Sequence, residues 1–237
     1  MSEVIYGKKV IQTAVTNRFP IANVRLTAEN QALIAFLKTH EINYQIVSKD
    51  ILNRITPHHQ GVIAEISGFP NYTLVQLISE KPKGKSLPLI VALDGLEDPH
   101  NLGAIIRTVE ATSGDGVIFA KNRSVKLNAT VAKVSTGAIF NVKCSEVVNL
   151  TQTLKYLKTK GYWVVGTDAS AKINYSSLKY DFPMILVIGS EGKGISRLVL
   201  EQCDYLVSIP MMGVINSLNA SVSAGILIYE IRKQQWE

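Results

Sequence analysis

The sequence predicts an α/β protein: a small α/β domain followed by a larger domain built on a mainly parallel sheet. Two observations carry this. From residue 87 onward, short and nearly continuous apolar runs alternate with segments of helical period, the pattern of strands covered by helices on both faces. Before them lies a shorter stretch with its own alternation, set apart by Lys81-Pro82-Lys83-Gly84-Lys85-Ser86, which has the Pro, Gly and charge content of a linker. The boundaries expected are 1–70 for the small domain, 71–86 for the linker and 87–237 for the larger domain.

In order along the chain, the first part reads as a helix over 6–16, a strand over 23–26, a helix over 29–40, and strands over 44–47 and 62–66. In the second part, strands are expected over 89–93, 116–120, 162–167, 184–188 and 205–209. The helix after the first of these is legible because Leu102, Ile105, Ile106 and Val109 form one apolar stripe while Arg107 points away from it. A last helix, rich in small and apolar residues, is expected over 219–233.

With 237 residues, 46% of them hydrophobic and 19% charged, the chain can bury one large core or two smaller ones without staples. Its only cysteines, Cys144 and Cys203, have no spacing that suits zinc and read as small buried residues; a catalytic thiol is the lesser alternative. No basic stretch with an apolar core opens the chain, and no apolar run approaches the roughly 20 residues that span a bilayer. A reducing, cytoplasmic setting is expected. The net charge of +6 and pI near 9.2 suit a polyanionic partner, although a solvated surface explains the same charges. The excess is uneven: residues 1–86 hold ten Lys/Arg against six Asp/Glu, and residues 87–237 hold fifteen against thirteen.

A doubly wound sheet places ligands at the carboxyl ends of its strands, and a dinucleotide site would show GxGxxG after the first of them. That signature is missing after 89–93. The glycine-dense loop comes late, as Gly189-Ser190-Glu191-Gly192-Lys193-Gly194, and lacks the GK[ST] ending of a triphosphate-binding loop. Glycines there either let main-chain groups approach a ligand or make a plain strand-to-helix turn.

Three segments together resemble the SpoU (TrmH) family of the SPOUT methyltransferases. The first runs from Asp94 through Asp98-Pro99-His100-Asn101-Leu102-Gly103 to Arg107-Thr108, matching D-x-x-x-D-P-x-N-x-G-x-x-x-R-T. The second is Leu186-Val187-Ile188-Gly189-Ser190-Glu191-Gly192. The third is Ile209-Pro210-Met211 followed by Ser217-Leu218-Asn219-Ala220-Ser221. Tyr6-Gly7 and Gln60-Gly61-Val62 also resemble the substrate-binding domain of the branch that methylates guanosine in 23S ribosomal RNA, so the likeness spans residues 4–235. It implies a deep trefoil knot in the C-terminal domain and methyl transfer from S-adenosyl-L-methionine, without a metal, to a ribose 2'-hydroxyl of large-subunit ribosomal RNA. It also implies a homodimer. The same motifs leave open an antibiotic-resistance methyltransferase of another ribosomal-RNA loop; the alternatives of a transfer-RNA substrate and of a non-catalytic RNA-binding protein are disfavoured, the first by the N-terminal domain and the second by the presence of Arg107, Asn101 and Asn219.

Carried over by residue, the resemblance implies that Gly189, Ile209 and Leu218 contact the cofactor and that Arg107, Asn101, Glu191, Ser217 and Asn219 form the catalytic constellation. A guanidinium stays protonated, so Arg107 reads better as a clamp on substrate phosphate and developing oxyanion than as a general base. Asn101 and Asn219 also stand where helix caps are expected, and both roles can hold at once. In the first part, Lys8, Lys9, Arg18, Arg25 and His59 are candidate phosphate contacts. Tyr6 and Phe19 are candidate base-stacking residues or ordinary buried aromatics.

Overall fold

The computed structural model describes residues 2–79, 87–122 and 124–236; residues 80–86 of the linker expected over 71–86 lie outside them. In chain order the elements are β1 (Glu3–Tyr6), α1 (Lys8–Thr16), β2 (Ala22–Leu26), α2 (Gln31–Thr39), β3 (Tyr44–Ile46), α3 (Lys49–Asn53), β4 (Val62–Ile66), α4 (Leu74–Ile78), β5 (Leu89–Asp94) and α5 (Pro99–Ala111). There follow β6 (Gly116–Ala120), α6 (Ala129–Val134), β7 (Lys143–Val147), α7 (Leu150–Lys158), β8 (Trp163–Thr167), β9 (Ile173–Asn174), β10 (Met184–Gly189), α8 (Arg197–Leu200), β11 (Tyr205–Ser208) and α9 (Ala220–Trp236). They form two compact units: Met1–Pro70 with Leu127–Asn141, and Asn71–Lys126 with Val142–Glu237.

The first unit is a four-stranded mixed sheet in the order β1-β4-β2-β3, antiparallel except between β2 and β3. Its core includes Ile5, Ile11, Leu26, Leu37, Val62 and Ala64, all fully buried. The segment Leu127–Asn141 belongs to this unit. Asn128 caps α6 by accepting the Val131 N–H at 3.0 Å, and the turn that follows places Phe140 4.8 Å from Phe19, ring centre to ring centre. Phe19 is therefore occupied in packing. His59 is 3% exposed; its Nδ1 accepts the Gly61 N–H at 2.7 Å and its Nε2 donates to Asn53 Oδ1 at 3.0 Å. It cannot reach a phosphate, which corrects its reading as an RNA contact. Arg25 lies 3.8 Å from Glu65, while Lys8, Lys9 and Arg18 are exposed.

The second unit is a seven-stranded sheet in the order β7-β6-β5-β10-β8-β11-β9, parallel at every pairing. All five expected strands are present. β7 and β9 escape pattern reading for physical reasons: β7 is an edge strand whose apolar run is broken by Lys143, Ser145 and Glu146, and β9 has two residues. Residues 71–79, read as linker, include α4, closed by a reciprocal Thr73–Gln76 capping box. Just before it, the Tyr72 N–H donates to the Cys144 carbonyl and occupies the β7 edge.

Burial pushes the thiols of Cys144 and Cys203 up to about 12, where neither supplies a nucleophilic thiolate near neutral pH. No helix of the described residues is long and apolar enough to cross a membrane.

Candidate active site

The site follows from the sheet order. β5 and β10 are neighbours, and their last residues, Asp94 and Gly189, are register partners. The loops that follow them open at the same edge, as parallel strands require. After β5 the chain turns at Gly95, which has a φ of 73°, and enters α5 with Asp98 as its N-cap: Asp98 Oδ1 accepts the His100 N–H at 2.9 Å. Pro99 at the first helical position suits this start. The cap is thus Asp98 rather than Asn101. Asn101 is freed from capping, is 4% exposed, and points its carboxamide inward.

Three motifs far apart in sequence meet there. Asn101 Nδ2 donates to Glu191 Oε1 at 3.0 Å, Asn219 Nδ2 donates to the same oxygen at 2.5 Å, and also to Asn101 Oδ1 at 2.9 Å. Asn219 caps α9 as well, its Oδ1 accepting the Ser221 and Val222 N–H groups at 2.9 and 3.3 Å. Cap and cluster therefore share one side chain. The geometry fixes the amide orientations, since only the Nδ2 groups can donate to a carboxylate. Beside the cluster opens a cavity of about 730 Å³ lined by Asp94, Gly95, Asn101, Ser190, Glu191 and Lys193, among others.

The glycine loop closes on itself. Ser190 and Gly194 exchange N–H to carbonyl bonds of 3.1 and 2.9 Å, with Gly192 and Gly194 at φ 80° and 65°. A Cβ on Gly189 would collide with the backbone of Gly194 and Ile195. Asp94, which carried no role in the motif reading, accepts the Ser196 N–H at 2.6 Å and pins the exit of this loop to the end of β5. On the same rim, Asp168 follows β8; hydrogen bonds from the Ser170 hydroxyl and N–H hold its carboxyl below the usual range.

The residues suit a main-chain-bound cofactor. Ile209 is half-buried and Leu218 is partly exposed, and among the described residues no main-chain hydrogen bond engages 210–218. Amides, carbonyls and apolar side chains are thus available on the loop between β11 and α9, one strand removed from β10 in the sheet. Ser217 is exposed and outside the hydrogen-bonded cluster. So is Arg107: six residues beyond Asn101 on α5, it projects about 240° around the helix from it. The structure brings Asn101, Glu191 and Asn219 together and leaves Arg107 and Ser217 outside their hydrogen bonds.

A parallel α/β sheet carrying a carboxylate and two carboxamides at a strand-end cavity, beside a glycine-walled loop, is the framework of a small-molecule-binding α/β protein. The chain belongs to the SpoU rRNA methylase family, whose model matches residues 88–229, and residues 4–72 match the substrate-binding domain of RNA 2'-O ribose methyltransferases. It is 41% identical to YacO of Bacillus subtilis, assigned to the TrmH family of tRNA/rRNA methyltransferases, over 98% of this chain and 95% of that one. Its fold is similar to that of the SpoU methyltransferase AviRb from Streptomyces viridochromogenes, solved with the cofactor AdoMet: TM-score 0.85, 25% identity, 99% of this chain and 91% of that one. A crystal structure of an RNA 2'-O ribose methyltransferase superposes with TM-score 0.83 at 27% identity, over 100% of this chain and 90% of that one.

Proposed function

We propose that this RNA 2'-O-ribose methyltransferase acts on a guanosine of 23S ribosomal RNA, as a homodimer whose second copy completes the site. The observation that carries the reading is the meeting of Asn101, Glu191 and Asn219, one from each motif, at the edge of a cavity of nucleotide size. S-adenosyl-L-methionine supplies a methyl group made electrophilic by its sulfonium. Gly189, Ile209 and Leu218 hold it through main-chain and apolar contacts. The order β5-β10-β8-β11-β9, with late strands lying between earlier ones, supports the knotted threading of these loops.

Methyl transfer to a ribose hydroxyl needs an aligned nucleophile and relief of charge as its proton leaves. Asn101 and Asn219 hold one oxygen of Glu191. Its other oxygen takes no part in those bonds and is the acceptor left for the hydroxyl hydrogen. Ser217, on the turn leading to Asn219, faces the ribose. Arg107 clamps the adjoining phosphate and stabilises the developing oxyanion. Because Arg107 projects away from the cluster of its own chain, it serves the site of a second copy. An exposed apolar stripe on α9, Val222, Tyr229 and Trp236 at seven-residue spacing, supports such pairing. The first unit, with Lys8, Lys9 and Arg18 exposed, supplies RNA contacts.

Incubation with labelled S-adenosylmethionine and unmodified 23S ribosomal, 16S ribosomal or transfer RNA, followed by mapping of the modified ribose, tests this. One guanosine in 23S RNA is expected. Transfer confined to transfer RNA would overturn the substrate assignment, and a monomeric active enzyme would overturn the shared site.

A further inference from the structure

Among the described residues of the second unit, one charged side chain is wholly buried. Arg232, on α9, has 0% exposure, and its guanidinium donates four hydrogen bonds. Nε donates to the Thr112 carbonyl at 3.1 Å, Nη2 to the Ser113 carbonyl at 2.8 Å, and Nη1 to the Leu87 carbonyl at 2.7 Å and to Gln235 Oε1 at 2.6 Å. Asp115, whose carboxylate accepts the Leu89 N–H at 2.6 Å, lies 4.0 Å from Nη2.

Thr112 and Ser113 are the residues on which α5 ends. Arg232 therefore caps the carbonyl end of α5, where a helix carries its negative partial charge. At the other end of the same helix, Asn101 receives the hydrogen bond from Asn219, the cap of α9. α5 and α9 thus run side by side in one direction and are tied at both ends. Leu102, Ile105 and Val109 on α5 and Ala224, Leu227 and Ile231 on α9 are buried along the way. Ridge-and-groove packing leaves several axial registers one turn apart; a planar fork bonded to three main-chain carbonyls fits only one.

We infer that Arg232 is a positioning residue, which sets the axial register of α9 against α5 and through it the meeting of Asn219 with Asn101 and Glu191. It lies thirteen residue steps along the chain from Asn219, about 20 Å of helix. It touches no substrate. The inference rests on the reading of the Asn101–Glu191–Asn219 cluster as catalytic, and its test separates the two.

Arg232→Lys keeps the charge and removes the fork. In the folded variant, the side-chain amide NMR signals of Asn101 and Asn219 should shift, kcat should fall roughly tenfold to a hundredfold, and cofactor Kd and RNA KM should stay within about threefold. In the double variant Arg232→Lys/Asn219→Ala the lysine should add little to the loss caused by Asn219→Ala alone. Unmoved amide signals with wild-type kcat per folded molecule would overturn the inference and leave Arg232 a purely stabilising residue. If Arg232→Lys does not fold, Arg232→Gln, which keeps a polar amide but cannot bond all three carbonyls, is read by the same signals: a shift supports the inference and its absence overturns it. Should Asn219→Ala itself retain full turnover, the catalytic reading of the cluster fails instead, whatever the amide signals show.

Discussion

The side chain of Asn219 donates to that of Asn101 across 2.9 Å, joining residues 118 positions apart and bringing the start of α9 to the first turn of α5. Neither carboxamide can be replaced without leaving Glu191 short of a donor. Asn219→Ala should lower kcat roughly a hundredfold, the scale for losing one preorganised donor. It should also cost about 1 kcal/mol of stability through the lost cap. Single-turnover kinetics and a denaturant titration measure the two effects separately; a stability loss without a rate loss would reduce Asn219 to a cap.

Gly189 leaves no room for a side chain. Its Cβ would meet backbone rather than a side chain that could swing aside, so the loop must move as a whole. Gly189→Ala should cost about 1–3 kcal/mol, which expressed as cofactor affinity is roughly a tenfold to hundredfold rise in Kd. Calorimetric titration with S-adenosylmethionine checks it, and an unchanged Kd would remove the glycine loop from the cofactor site.

Arg107 is exposed, so Arg107→Ala should change stability by no more than about 0.5 kcal/mol. Methyl transfer should nevertheless fall by roughly two orders of magnitude, with cofactor Kd unchanged. Arg107→Lys should recover only part of the loss, because an ammonium cannot make the bidentate contact. Equal losses of cofactor affinity and transfer would place Arg107 on the cofactor instead.

His59 offers a pH test. Burial, with the nearby charge of Lys49, holds its imidazole below the ordinary value of about 6.5, and Nδ1 is committed as an acceptor from Gly61. The folded protein therefore binds a proton less readily than the unfolded chain. The stability this gives is fully present above the unfolded-state value and is lost as pH falls below it. Thermal melts between pH 7 and 5 should show a falling Tm whose slope is smaller in His59→Gln; parallel slopes would contradict it.

Legibility differed with the range of the interactions involved. The strands over 62–66 and 116–120 could be read to the residue because an apolar run between turn-forming neighbours needs no tertiary partner to be recognised. β7 could not, since Lys143, Ser145 and Glu146 leave it neither an apolar run nor a clean alternation. The joining of Leu127–Asn141 to the first unit was invisible because Phe140 meets Phe19 across more than 100 residues. Spacing alone also misplaced the α5 cap, which fell to Asp98. Asn101, Glu191 and Asn219 were legible only as motif members; their mutual hydrogen bonds were not. Arg232 was missed entirely, because an arginine in a terminal helix reads as surface.

The most direct measurement is nucleoside analysis by mass spectrometry of RNA methylated in vitro by the wild-type chain and by Asn219→Ala. The account predicts a 2'-O-methylated nucleoside with wild-type protein and a loss of roughly a hundredfold in its rate of formation with the variant. A base-methylated nucleoside, or equal rates from both proteins, would contradict it.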